Sequence, residues 1–104
     1  MERPRITTID GTDHEMRHLD GRAYRIVSEF DNDLPNYLAA DFIERHAALI
    51  AEFYDGVSVD DVLDLPLEDI LPASTAVRSF VFNFTWEKTK AVSKNAPEDK
   101  ATEQ

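Results

Sequence analysis

His14-Glu15-Met16-Arg17-His18 reads as H-E-x-x-H, the string that most resembles catalysis in this sequence. On a helix it sets two imidazoles one turn apart to hold zinc, and the glutamate polarises the bound water for hydrolysis. Three features of the surrounding sequence argue against that chemistry. Gly11 and Gly21 bracket the string and limit any helix there to about two turns. No apolar stripe accompanies it to bury such a helix. The remaining histidine, His46, sits in the middle of an apolar helical face, where it reads as a packed core residue. As one arm of a strand, His14, Met16 and His18 share a side, which is not the zincin arrangement. A small zinc hydrolase is therefore the third-ranked reading, and no catalytic, metal or cofactor-binding residue is expected.

Other chemistries have less to stand on. Three glycines, each at an expected turn, leave no phosphate-cradling loop. The absence of cysteine removes thiolate ligands, thiol nucleophiles and disulfides. The many carboxylates recur at helix-face spacing, where acids usually face solvent.

The elements that position these residues follow from spacing and punctuation. A polar stretch marked by Pro4 and Gly11 suggests a flexible N-terminus over residues 1–11, and a single globular domain is expected over 12–92. Asp20-Gly21 is a favoured two-residue turn, and Tyr24 and Ile26 alternate with Ala23, Arg25 and Val27. These signals predict a hairpin over 14–27. Asp33 and Pro35 suit a helix start, and Leu38, Ala39, Phe42, Ile43, His46, Leu49, Ile50 and Phe53 fall on one face. A helix over 34–54 is expected, stopped by Gly56. Ser58 with Asp61 signals a capped short helix, and Pro66 and Pro72 divide the next stretch of chain. Short helices over 59–71 and a helix over 73–92 result. Phe80, Phe82, Phe84 and Trp86 also alternate as in a strand, but the segment is long for one, and helix is the preferred assignment. Residues 93–104 lack large apolar side chains and read as a disordered polar tail. The fold class is mainly α, with a short N-terminal β-hairpin.

Charge narrows the partners. The formal net charge is -10. Residues 31–72 carry eleven acids and a single base, Arg45, whereas acids and bases balance elsewhere. Such a field repels nucleic acid and anionic membranes and attracts basic segments. Direct nucleic-acid binding and membrane association are therefore not expected. With no membrane-length apolar run and no apolar stretch behind Met1-Glu2-Arg3-Pro4-Arg5, a cytoplasmic location is expected.

Residues 34–104 resemble the tail assembly chaperones of long-tailed bacteriophages, particularly the lambda type. The likeness rests first on Phe42-Ile43-Glu44-Arg45-His46-Ala47-Ala48-Leu49-Ile50. It continues through Asp61-Val62-Leu63-Asp64-Leu65-Pro66-Leu67-Glu68-Asp69-Ile70. Last come Ala76-Val77, Val81 and the polar Asn95-Ala96-Pro97-Glu98-Asp99. The Asp20-Gly21 hairpin and the short length depart from the family pattern. The resemblance implies a mainly helical phage or prophage protein that coats the long helical tape-measure protein in the host cytoplasm and is absent from the mature virion. It also implies a minor, frameshifted product with an extra domain. Ser93-Lys94-Asn95 is compatible with a slippery A AAA AAC codon run. A homo-oligomer is compatible with this role.

The residues themselves point the same way. A chaperone for a helical client needs an apolar groove with a hydrophilic rim. Phe80, Phe82, Phe84 and Trp86 offer more aromatic surface than one helix face buries, with a fully core role as the plain alternative. Asp60, Asp61 and Asp64 are the acids expected to meet basic client segments. The second-ranked function is a phage-derived acidic inhibitor that mimics nucleic acid.

Overall fold

The computed structural model describes residues 2–34 and 36–95. Its elements are β1 (Arg5–Thr7), β2 (Asp13–Glu15), α1 (Gly21–Asn32), α2 (Phe42–Glu52), α3 (Val59–Leu63) and α4 (Leu67–Asn95). The mainly helical class with a small N-terminal antiparallel ribbon is as expected. Its parts are distributed differently.

The ribbon lies earlier than the predicted hairpin over 14–27. β1 pairs with β2 antiparallel, with Ile6 opposite His14. The turn between them uses the other Asp-Gly pair, Asp10-Gly11. Gly11 has φ 88°, open to glycine at little cost. The Asp10 carboxylate accepts from the Thr8 hydroxyl at 2.7 Å and from the Thr12 amide at 3.0 Å. Those bonds lower the Asp10 carboxyl below its ordinary pKa, with Thr8 the larger cause. Residues 1–11 are thus not a loose leader throughout: Ile6 and Thr8 are buried, and Tyr54 donates to the Pro4 carbonyl at 2.8 Å.

Asp20-Gly21 opens α1 instead of turning a hairpin. The Asp20 side chain caps the helix by accepting from the Arg22 amide at 3.0 Å, and Gly21 does not adopt positive φ. Ala23, Ile26, Val27 and Phe30 explain the outcome. Their i, i+3, i+4, i+7 spacing makes a helical stripe that outweighs the two-position alternation at Tyr24 and Ile26. Ala23 and Val27 are buried.

The helix expected over 34–54 begins only at Phe42. The Asn36 side chain accepts from the Leu38 amide at 2.8 Å, and backbone turns from Ala39 to Asn36 and from Phe42 to Ala39 come next. Such local bonds compete with helix formation. Leu34, Tyr37 and Leu38 consequently stand exposed, so Leu38 is not on the core face. Asp33, predicted as the cap of that helix, closes α1 and pairs with Arg45 at 3.1 Å. Ala39 also precedes the helix and Phe42 and Ile43 are half-buried, whereas from His46 on the predicted face holds: His46, Leu49, Ile50 and Phe53 are buried.

Ser58 and Asp61 form the expected capping box of α3, with bonds of 3.1 and 3.0 Å. Pro72 does not divide the segment after α3; α4 runs through it for 29 residues. Pro72 lies one turn in, lacks the amide that would reach the Glu68 carbonyl, and faces solvent. Ile70, Ser74, Val77 and Val81 bury the opposite face, and that burial carries the helix past it. The polar tail over 93–104 falls largely outside the described residues, apart from 93–95 at the end of α4.

One core joins all these parts, with Phe53, Ile50, Ile70, Val62 and Val77 at its centre and Ile6 and Met16 entering from the ribbon. No described helix is long and apolar enough to cross a membrane.

Candidate functional site

The H-E-x-x-H string does not lie on a helix. His14 is in β2, where its Nε2 is 3.2 Å from the Thr8 hydroxyl. Glu15 faces Arg5 at 3.6 Å, and Met16 is buried. Arg17 serves the end of α2: its amide donates to the Phe53 carbonyl at 2.9 Å and its Nε to the Glu52 carbonyl at 2.7 Å. Its guanidinium also lies 5.2 Å from the Phe53 ring centroid. A cation at a helix C-terminus satisfies free carbonyls and opposes the macrodipole. The string thus splits among a strand, the core and a helix cap. Among the described residues there is no group of three or more side chains able to hold a metal.

The four aromatics of α4 separate by depth. Phe80 is 5 % exposed and belongs to the core. Its ring stacks on Phe84 at 5.6 Å. Phe82 and Phe84 are half-buried, and Trp86 is 54 % exposed. The helix carries these side chains around its axis, so no strand-like row forms. Their surface partner is Tyr24 of α1, which the sequence did not single out. Its ring meets Phe82 edge-on at 5.2 Å and Trp86 at 6.2 Å. Tyr24, Phe82 and Trp86 make an aromatic ledge between α1 and α4. Beside it lies a shallow groove of about 320 Å³ lined by Leu19, Ala23 and Phe84. Tyr24 could have been found only by placing α1 as a helix, since its spacing from Ala23 and Val27 sets it beside α4.

The three predicted acids lie within about 100° of one another around α3, and two of them also serve its ends. Asp61 is committed to the α3 capping box, and Asp64 is the C-cap of that helix. Asp60 stands exposed in its first turn.

A polar network unmarked in the sequence crosses the interior. His46 Nδ1 lies 2.8 Å from the Ser74 hydroxyl, and Arg78 Nε reaches the same hydroxyl at 3.3 Å. Arg78 also pairs with Asp31 at 3.0 Å. The His46 ring sits edge-on to Phe30 and Phe42, and its Nε2 is buried with no partner among the described residues. Burial first, and the Arg78 charge second, push the imidazole below its ordinary pKa. The network joins α1, α2 and α4. Its His46–Ser74 end is buried in the core, and its Arg78–Asp31 end reaches the surface.

No protein-family model, curated protein sequence or solved structure matches this chain.

Proposed function

We propose that this protein binds helical segments of another protein and keeps them soluble during assembly, as a phage tail assembly chaperone does for the tape-measure protein. In this reading it acts in the host cytoplasm and leaves before the virion is complete. The observation that carries it is the ledge of Tyr24, Phe82 and Trp86. Exposed aromatic clusters on a folded domain mark sites of association, because their apolar area gains most from being covered. A folded, strongly acidic domain presenting such a ledge can hold an apolar helix while its own charge opposes aggregation. The commitment of Asp61 to a cap favours this reading over a phosphate-mimicking inhibitor.

Co-expression with the tape-measure protein of the same genome tests it. Wild type is expected to raise the soluble fraction of the client, and Tyr24→Ala/Trp86→Ala to lose that effect while remaining folded. A client equally soluble without this protein, or with the double variant, removes the proposal.

A further inference from the structure

A second surface lies on the other side of α1. Tyr24 and Ile26 are about 200° apart on the helical wheel, so the residues facing α2 are not those of the ledge. Between α1 and α2 runs an open groove of about 310 Å³. Ile26 and Phe30 of α1 and Leu49 of α2 form its apolar floor. Glu29 rises on one wall and Glu52 on the other. Among the described residues neither carboxylate enters an ion pair. The groove's cation, Arg45, is already held by Asp33 through both its carboxylate and its carbonyl, at 3.1 and 3.3 Å. Arg17 approaches from beyond the end of α2, but its guanidinium is taken up by the Glu52 and His18 carbonyls.

We propose that the α1–α2 groove docks a basic amphipathic helix, whose apolar stripe lies over Ile26 and Phe30 and whose flanking lysines or arginines meet Glu29 and Glu52. Charge complementarity selects this occupant. Unpaired carboxylates on both walls call for cations on both edges of the stripe, and a helix spaces residues that way at i, i+3 and i+4. A second copy of this chain, at net charge -10, brings a field of the wrong sign. The groove accepts a couple of side chains, not a buried helix, so binding is steered by charge and weakened by salt. This inference deepens the chaperone reading by giving the chemistry of a client helix, but it rests on different residues.

The test uses the full chain with two fluorescein-labelled synthetic helices of about 18 residues. One is an amphipathic leucine–lysine peptide, the other its leucine–glutamate counterpart. Anisotropy is expected to show salt-sensitive binding of the lysine peptide alone. Glu29→Lys/Glu52→Lys is expected to weaken it at least about tenfold and to admit the glutamate peptide. Glu68→Lys/Glu87→Lys makes the same change in net charge outside the groove and is expected to leave affinity within about twofold. Circular dichroism establishes that each variant is folded. Equal binding of both peptides, equal loss in the two variants, or self-association through the groove overturns the proposal. Retained peptide binding with no rescue of the tape-measure client would remove the chaperone reading and leave the groove inference standing.

Discussion

The imidazole of His46 on α2 lies 2.8 Å from the hydroxyl of Ser74 on α4, with Nε2 buried and, among the described residues, unpartnered. The charged groups facing this ring are Arg78, which shares Ser74, and through it Asp31. A second ring proton would make a buried cation beside Arg78, with no acceptor for its Nε2–H among the described residues.

The pH dependence has a definite sign. His46 has a lowered pKa in the folded chain and the ordinary value of 6.5 when unfolded. The unfolded state therefore binds the proton more tightly, and stability is full above 6.5 and falls as pH drops below it. Urea unfolding at pH about 7.5 and about 5.5 is expected to show a lower midpoint at the more acidic value. His46→Leu is expected to flatten that difference, and an unchanged difference would show that other groups carry it.

The two Asp-Gly pairs make opposite predictions for the same substitution. Gly11→Ala forces a side chain into φ 88° and is expected to cost about 1 kcal/mol. Gly21→Ala meets no atom within 4 Å at a negative-φ helical position and is expected to stabilise by about 0.5 kcal/mol. Asp20→Ala, which removes the cap, is expected to cost about 1 kcal/mol. Thermal or urea midpoints measure all three. Loss at Gly21 and tolerance at Gly11 would restore the hairpin at Asp20-Gly21.

Pro72 is a removable defect in α4. Replacing it with alanine returns an amide opposite the Glu68 carbonyl and relieves the ring at an exposed site. Pro72→Ala is expected to stabilise by about 1 kcal/mol or more, read as a higher urea midpoint. A lower midpoint would mean that a kink at Pro72 is needed to bring α4 onto α1.

Trp86 is the chain's single tryptophan and reports directly on the ledge. At 54 % exposure it is expected to emit at the red end of the tryptophan range and to be quenched readily by acrylamide. Client binding is expected to shift emission to the blue and protect it. Trp86→Ala is expected to change stability by no more than about 0.5 kcal/mol, as surface substitutions usually do. A blue, protected emission in the free protein would remove the ledge as an exposed surface.

Local and periodic features were legible from the residues alone. The buried face of α2 was legible from His46 to Phe53 because packing against one side imposes a 3.6-residue repeat. The Ser58–Asp61 box was legible because both partners lie within one turn. The helical state of residues 80–86 was legible from length, although alternation also suited a strand. Tertiary structure decided the rest, where local signals were degenerate. Asp10-Gly11 and Asp20-Gly21 carry the same turn chemistry, and pairing of Arg5 with Glu15 selects which one turns. Leu38 continued the apolar period, yet the bonds around Asn36 end the helix short of it. Pro72 signalled a break that burial of Ile70, Ser74 and Val77 overrides. Of four aromatics on α4, burial of Phe80 and exposure of Trp86 depend on where α1 lies beside α4, with its first turn reaching Phe82 and Trp86. That depends on contacts between residues far apart in the chain, which no local spacing encodes.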